Sequence, residues 1–271
     1  MQDLVRDWTV PLARKSGWKR FCEIGASTGL SSDEIMKLPD ISHTIIDPCF
    51  DADLALKYAG DLRVTVKKSN SLDALPNLDG VYDCILIDGD HNWYTVFNEL
   101  RLIRERALLR RGGMIFFHDV EWPYGRRDMY YQPDTIPPEY RQKYERKGII
   151  RGQSQLVDSE GANKHLCNAV HEGGSRNGVL TAIEDFTAEH TAEYHFCRLK
   201  QQYGLGILQR RSKRLSEDLS FLLLQIEVGM FPLYRATRSW LGRAFRKLLR
   251  RPKSVTTANP PPSETGAPPT P

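Results

Sequence analysis

Short apolar segments alternate with longer amphipathic segments over roughly the first 119 residues. The short segments are rich in β-branched and aliphatic residues, which favours strands, and the spacing of apolar residues between them is typical of helices. This alternation predicts a parallel sheet covered by helices on both faces. The five strands predicted in this part are Arg20–Ile24, His43–Ile46, Leu62–Lys67, Cys84–Ile87 and Met114–Phe117.

The later part of the chain adds two further helices and a hairpin to this sheet. A helix is predicted over Trp93–Arg110, with the pair Gly112-Gly113 ending it, and a second helix over Val179–Glu189. Two strand-like segments separated by a short polar turn then predict a β-hairpin, Tyr194–Leu199 and Gly204–Gln209. The expected fold is therefore an α/β fold with a seven-stranded, mostly parallel sheet and an antiparallel hairpin at its end.

Residues 120–178 interrupt the pattern with a long polar and aromatic stretch. A connection of that length inside a compact domain is more typical of an active-site cover than of a simple loop. We therefore predict one domain over residues 1–211 with this segment as an insertion. Residues 212–251 form a predicted basic amphipathic helical extension, and residues 252–271 a disordered Pro-rich tail.

The charge is divided unevenly along the chain. The net charge is +4, but residues 198–253 alone carry +11 and residues 1–197 carry −6. This distribution disfavours a protein that binds nucleic acid over its whole surface. The basic extension 212–251 has three possible roles: contact with an anionic membrane, packing on a partner subunit such as a second copy of the chain, or packing on the body of the protein with the arginines in solvent.

The composition places the chain among ordinary globular proteins of a reducing compartment. The apolar runs are far shorter than the roughly 20 residues that cross a bilayer, and the first residues lack the pattern of a secretory signal. The five cysteines show no paired spacing that would predict a zinc site or a disulfide framework. These features predict a cytoplasmic location, with peripheral membrane contact as the alternative.

A glycine-containing turn follows the first predicted strand and opens a helix. In this turn Glu23 stands two residues before Gly25, and Gly29 follows four residues later. Glycines there let the backbone turn tightly and approach a ligand, which favours a nucleotide-type cofactor at this point of the sheet. The spacing lacks the second glycine of the dinucleotide fingerprint, so NAD is disfavoured.

Polar residues also end the second and third predicted strands. Asp47 follows the second strand, where a carboxylate accepts hydrogen bonds from ribose hydroxyls. Ser69 and Asn70 follow the third, where they suit the edge of an adenine. The glycine turn, Asp47 and the pair Ser69-Asn70 follow three successive strands. All three together are far less common by chance than any one of them alone.

With these features the sequence resembles the class I S-adenosylmethionine-dependent methyltransferases, whose sheet is Rossmann-like. The segments Asp83–His91 and Gly112–Val120 are similar to those of macrocin-type small-molecule O-methyltransferases. The resemblance implies that S-adenosyl-L-methionine is the cofactor. It also implies a set of cofactor contacts: Glu23, Gly25, Ser27, Gly29 and Ser31 on the methionine side, Asp47 on the ribose, Ser69 and Asn70 on the adenine, and Asp88 on the amino group.

Charged and titratable side chains gather at the ends of the fourth and fifth predicted strands. Because neighbouring parallel strands end at the same edge, these side chains should lie together beside the cofactor crevice. Carboxylates crowded there repel one another unless a cation or a proton joins them. A divalent metal would bind an acceptor hydroxyl, lower its pKa and orient it toward the methyl group. The residues concerned are Asp88, Asp90, His91, His118 and Asp119.

The resemblance implies separate roles within this set. Asp88, His118 and Asp119 take the positions of metal ligands for an ion such as Mg or Mn, and Asp90 and His91 the positions of a catalytic base. His118 departs from the family pattern, in which that residue is acidic or an amide, and a nitrogen ligand favours Mn, Fe or Zn over Mg. Two alternatives stay open: His118 acts as a base without metal, or Asp88 only contacts the cofactor and the imidazoles cap strand ends.

These observations predict an enzyme that methylates a hydroxyl group on a small molecule, such as a saccharide or a secondary metabolite. An N-methyltransferase, which needs no metal, is an alternative, as is a hydroxylase. Outside enzymes, the alternative is a non-catalytic S-adenosylmethionine-fold module tethered through residues 212–251. The crowded carboxylates favour an enzyme, because a purely structural domain gains nothing from placing like charges together.

Overall fold

The computed structural model describes residues 1–49, 52–200 and 203–213, together with Phe221 and Leu224. Residues Met1–Gly229 belong to one compact unit. The helices are α1 Gln2–Leu4, α2 Val10–Ser16, α3 Leu30–Met36, α4 Ala52–Lys57, α5 Ser71–Ala74, α6 Trp93–Glu105 and α7 Val179–Glu189. The strands are β1 Arg20–Ile24, β2 Ser42–Ile46, β3 Val64–Lys67, β4 Tyr82–Ile87, β5 Leu109–His118, β6 Met129–Tyr130, β7 Tyr144–Glu145, β8 Cys167–Ala169, β9 Tyr194–Leu199 and β10 Leu205–Arg210.

Seven of these strands form the main sheet, in the order β3-β2-β1-β4-β5-β10-β9. Strands β1 to β5 are parallel to their neighbours, whereas β10 is antiparallel to both β5 and β9. The predicted α/β fold and its antiparallel hairpin are confirmed. The chain changes direction across the sheet between β1 and β4, and the carboxyl ends of strands at such a switch point leave a crevice for ligands.

A large buried cluster joins α6 and α7 to one face of the sheet. Val96 and Leu100 of α6 and Ile183 and Phe186 of α7 belong to it, together with Phe117 of β5. Burying one such side chain contributes about 1.5–3 kcal/mol to folding, so this cluster is a main source of stability. It also holds the carboxyl ends of β4 and β5 in fixed positions.

The predicted end of the α6 helix is wrong. The helix ends at Glu105 rather than at residue 110, and Ala107 turns the chain with φ +52° before β5 begins at Leu109. Gly112 and Gly113 lie inside β5, where the pairing register with β4 shifts. A side chain at Gly113 would stand 2.9 Å from the backbone oxygen of Asp83. These glycines therefore permit close strand contact and do not terminate a helix.

Residues 120–178 contain a second sheet of three strands, β6-β8-β7. Asp128 connects this insertion to the main domain, since its carboxylate accepts hydrogen bonds from the backbone N–H of Trp93 at 2.8 Å and of Gly178 at 2.6 Å. The hydroxyl of Tyr130 donates to the same carboxylate at 2.8 Å. The insertion is thus a folded unit fixed to the start of α6 and to the residue before α7.

The predicted extension over residues 212–251 lies almost wholly outside the described residues, and the tail 252–271 lies wholly outside them. Phe221 and Leu224 are described, and both are buried helical residues. Within the described part of the chain, no helix combines the length and apolarity that crossing a membrane requires.

Replacing Asp128 by Ala should destabilise the protein by several kcal/mol. The substitution leaves two buried backbone N–H groups and one buried hydroxyl without their acceptor, at about 1–3 kcal/mol for each unsatisfied group. The measurement is urea-induced unfolding at neutral pH. Glu139→Ala, at an exposed position of the same insertion, is the control and should change the free energy of unfolding by less than about 0.5 kcal/mol. Equal stability of the two variants would contradict the role of Asp128.

Candidate active site

The loop after β1 packs directly against the end of β4. Gly25 has φ +81°, and a Cβ built on it would stand 2.4 Å from both the backbone oxygen of Asp88 and the Cα of Gly89. No side chain fits that space, so a glycine is required at this position. The predicted cofactor loop is therefore in direct backbone contact with Asp88, one of the residues predicted to take part in the reaction.

Asp47, at the end of β2, holds this loop in place. One carboxylate oxygen accepts hydrogen bonds from the backbone N–H of Ala26 at 2.9 Å and of Ser27 at 2.8 Å. The other oxygen accepts from the N–H of Cys49 at 2.8 Å. A carboxylate offers about four acceptor positions, so one is left for a ligand. The ribose role stays a prediction, and the structure adds a second role, the shaping of the loop.

The remaining predicted cofactor residues occupy different surroundings. Glu23 is buried beneath the loop, where its carboxylate accepts a short hydrogen bond from Ser32 and lies 3.1 Å from Nε2 of His43. That placement favours support of the loop over contact with a ligand. The other predicted contacts follow the loop and the end of β3: Ser27 is exposed, Gly29 and Ser31 are buried at the start of α3, Ser69 is half-buried and Asn70 is exposed at the start of α5.

Four titratable side chains meet at the ends of β4 and β5. Oδ2 of Asp119 lies 2.7 Å from Nε2 of His91 and 2.8 Å from Nδ1 of His118. The same Nδ1 of His118 lies 3.1 Å from Oδ1 of Asp88. We call these residues, Asp88, His91, His118 and Asp119, the Asp119 cluster. The backbone nitrogen of Met1 also approaches it, 3.2 Å from Nε2 of His118.

The backbone at the end of β5 explains how consecutive residues reach one cluster. Neighbouring side chains on a strand point to opposite faces, so His118 and Asp119 would normally separate. Asp119 instead has φ +55°, in the left-handed region that few residues other than glycine adopt. This turn brings its carboxylate back to the ring of His118.

Hydrogen bonding to Asp119 controls the charge of the cluster. Burial favours the neutral forms, but the hydrogen bonds from His118 and His91 outweigh it and lower the pKa of Asp119. Burial likewise disfavours the protonated imidazoles, but the hydrogen bonds to Asp119 and Asp88 raise the pKa of His118 to about 9. The pKa of His91 is also raised, because its hydrogen bond to Asp119 overcomes burial. At neutral pH the protonated ring of His118 therefore faces the ionised carboxylate of Asp119.

Of the two predicted base residues, the structure brings only His91 into the cluster. Asp90 accepts a hydrogen bond from the hydroxyl of Thr95 at 3.0 Å, in the first turn of α6. Burial raises the pKa of Asp90, and burial also raises the pKa of nearby Glu99 to about 8. Asp90 is therefore bonded to the first turn of α6. It interacts there with Glu99, a second buried acid that the sequence did not indicate.

A metal ion could be held by the predicted ligands. Asp88, His118 and Asp119 each offer one ligand atom, and these atoms lie within 4.8 Å of one another. Two carboxylate oxygens and one imidazole nitrogen suit a borderline divalent ion such as Mn or Zn better than Mg. The donor set fits such an ion, although His118 would have to lose its proton first.

The insertion lies against the cluster. The backbone N–H of Met129 donates to the carbonyl of His91 at 3.0 Å, and the imidazole of His91 lies 5.3 Å from the ring of Tyr124 and 6.0 Å from that of Tyr131. The predicted cover segment therefore reaches the site. Tyr203, in the turn between β9 and β10, lies 5.8 Å from the ring of His118. Nothing in that short polar turn marked this tyrosine as a site residue.

Comparison with known proteins connects this geometry to a family. A family model described as a methyltransferase domain matches residues 22–120, which include the glycine loop and the Asp119 cluster. No protein of curated function is significantly similar to this chain in sequence.

Solved structures similar to this chain include two methyltransferases. The SAH-bound methyltransferase PaMTH1 of Podospora anserina is 17% identical with a TM-score of 0.49, over 77% of this chain and 79% of that one. The O-methyltransferase TomG of Streptomyces achromogenes, solved with SAM and involved in tomaymycin synthesis, is 15% identical with a TM-score of 0.47, over 76% and 79%.

The family match spans the segment from β1 to the end of β5, which carries the glycine loop and the two strand-end motifs. It supports the resemblance inferred from those residues. Over residues 22–120 the chain is similar to the methyltransferase-domain family.

Proposed function

We propose that this protein transfers the methyl group of S-adenosylmethionine to a hydroxyl group of a small molecule. The observation that carries the proposal is the Asp119 cluster, in which two imidazoles bond one carboxylate oxygen beside the Gly25 crevice. Such a group can orient a hydroxyl and take its proton, which is the main task left to the protein in a direct displacement.

The crevice suits the proposed cofactor. S-adenosylmethionine supplies an activated methyl group on a cationic sulfonium. The carboxylates of Asp88 and Asp119 lie at the ends of β4 and β5, and the Gly25 contact leaves the loop without a side chain at its closest approach to β4. These carboxylates can pair with the cation once an imidazole bonded to them has lost its proton.

Cofactor binding should also prepare the base. His118 is protonated at neutral pH in the absence of a cation, because its hydrogen bonds to Asp119 and Asp88 raise its pKa to about 9, and the hydrogen bond to Asp119 also raises the pKa of His91. A positive charge brought next to them lowers both pKa values. One imidazole can then release its proton and accept that of the acceptor hydroxyl, while Asp119 keeps the ring oriented.

A more specific version of this proposal, which we call the metal form, adds a divalent ion bound by Asp88, His118 and Asp119. Such an ion would lower the pKa of a bound hydroxyl, and His91 would remain the base. Without it, His118 and His91 are both available for the proton.

Asp47→Ala should weaken binding of S-adenosylhomocysteine at least about tenfold, or about 1.4 kcal/mol. The substitution removes the acceptor of three loop N–H groups as well as the predicted ribose contact. Isothermal titration calorimetry of the purified protein gives the Kd. Asp79→Ala, at an exposed carboxylate before β4, is the control and should bind as the wild type does. Unchanged affinity of the Asp47 variant would remove Asp47 from the cofactor site, and no binding by the wild type would overturn the proposed function itself.

Asp119→Asn should lower the pKa of both imidazoles in the cluster by about one unit or more. The amide keeps the shape and tolerates the left-handed backbone, but it lacks the charge that raises the pKa of His118 to about 9. NMR titration of the histidine ring signals measures both values. Asp88→Asn is the matched variant, and it should lower the pKa of His118 more than that of His91, which has no hydrogen bond to Asp88. Identical titration curves in wild type and Asp119→Asn would refute this charge arrangement.

The metal form of the proposal predicts a pH-dependent affinity for Mn²⁺. Because the ion displaces a proton from His118, whose pKa is raised to about 9, the affinity should rise up to about tenfold per pH unit below that value. Electron paramagnetic resonance of free Mn²⁺ measures it. Asp119→Ala should bind at least about tenfold more weakly, and Asp90→Asn, outside the ligand set, should bind normally. If the wild type binds no Mn²⁺ or Zn²⁺ at pH 8, the metal form is wrong and the imidazoles act alone.

A further inference from the structure

Two tyrosine rings stand exposed at the mouth of the site. Tyr131 is 58% exposed and Tyr203 is 50% exposed. Among the described residues, no other aromatic side chain is exposed to this degree. Exposed aromatic rings beside a polar catalytic group suit contact with a ligand, because each ring loses apolar contact with water when a ligand covers it.

Each ring adjoins a different imidazole of the Asp119 cluster. The ring of Tyr131 lies 6.0 Å from that of His91 at an angle of 69°, and the ring of Tyr203 lies 5.8 Å from that of His118 at 65°. Both imidazoles bond the same oxygen of Asp119. The two tyrosines therefore flank one reactive point.

The two rings come from separate and well-anchored segments. Tyr131 directly follows β6 of the insertion. Tyr203 lies in the β9–β10 turn, and its carbonyl accepts a hydrogen bond from the N–H of Glu121 at 2.8 Å. The inference does not depend on one loop alone, since two independent parts of the fold bring aromatic rings to the cluster.

The charges around Tyr131 keep its phenol neutral. Partial burial, together with the carboxylates of Asp90, Asp88 and Asp119, raises the pKa of Tyr131 to about 12. A neutral phenol at Tyr131 remains available as a hydrogen-bond donor.

The polar groups of the cluster are partly committed to one another. Asp119 accepts from both imidazoles, Asp88 lies within hydrogen-bond distance of His118, and Asp90 accepts from Thr95. Nδ1 of His91 and Oδ1 of Asp90 are buried without a hydrogen-bond partner among the described residues. The exposed tyrosine faces favour an acceptor with an apolar ring, and the cluster offers polar atoms for its hydroxyl.

Resting on the proposed function, we propose that Tyr131 and Tyr203 form a clamp that holds a hydroxylated aromatic ring as the methyl acceptor. The acceptor lies between the two side chains with its hydroxyl directed to the Asp119 cluster. An imidazole of the cluster that has released its own proton to solvent accepts the proton of the acceptor hydroxyl. The acceptor oxygen forms its bond to the methyl carbon, and the bond from that carbon to sulfur breaks to leave S-adenosylhomocysteine. The two tyrosines position the ring and take no part in the proton transfer.

The test measures binding of 4-methylphenol to the full chain saturated with S-adenosylhomocysteine, by ligand-observed NMR titration. Tyr131→Ala and Tyr203→Ala should each weaken binding at least fivefold, whereas Tyr131→Phe and Tyr203→Phe should stay within twofold of the wild type. Leu62→Ala, which removes a fully exposed apolar side chain elsewhere, should have no effect. Unfolding temperatures check that every variant folds.

A further probe tests the chemical class. The saturated alcohol 4-methylcyclohexanol should bind at least fivefold more weakly than 4-methylphenol. Equal binding of the saturated ring overturns the aromatic class.

The outcomes separate the clamp from the function on which it rests. Failure of the wild type to bind S-adenosylhomocysteine overturns the proposed function. Normal binding of S-adenosylhomocysteine, with 4-methylphenol either unbound or bound equally by the alanine variants, overturns the clamp alone.

Discussion

The contact between the end of β1 and the end of β4 is the constraint on which the site depends. Gly25 touches the backbone of Asp88 and Gly89, and no larger residue fits there. This contact closes the floor of the crevice and fixes the start of the loop that Asp47 anchors from β2. It also means that a ligand on the glycine loop lies within reach of the β4 residues. The large apolar cluster under α6 and α7 keeps these strand ends from separating.

The carboxylate of Asp119 connects the residues of the cluster next to this contact. Asp119 reaches its position through a left-handed backbone, and such a conformation costs roughly 1–3 kcal/mol that the surrounding packing must offset. In return, one oxygen bonds two imidazoles that come from different strands. These hydrogen bonds lower the pKa of Asp119 despite its burial, so its carboxylate stays ionised at neutral pH. The proposed base and the proposed metal ligands depend equally on this one residue.

The insertion over residues 120–178 also lies against the cluster. It is fixed by the buried carboxylate of Asp128 at the start of α6, the helix that follows His91 directly. That attachment, with the hydrogen bond from Met129 to His91, sets the insertion beside the cluster and places Tyr131 at its mouth. The β9–β10 hairpin contributes Tyr203 from the other side. The residues proposed to be catalytic thus come from the main sheet, and the side chains proposed to contact the acceptor come from the insertion and the hairpin.

The sequence by itself determined the strands, their parallel arrangement and the residues that end them, because hydrophobic periodicity and glycine placement are local properties. It therefore predicted Asp88, His91, His118 and Asp119 as neighbours. Tertiary structure alone decided which of them bond. Asp90 turns to Thr95, since the first turn of α6 takes its carboxylate; Asp47 serves the loop, since three N–H groups converge on it. Tyr203 lies near the cluster because β10 pairs with β5. These two strands are far apart in the sequence, so a local pattern cannot show that they pair.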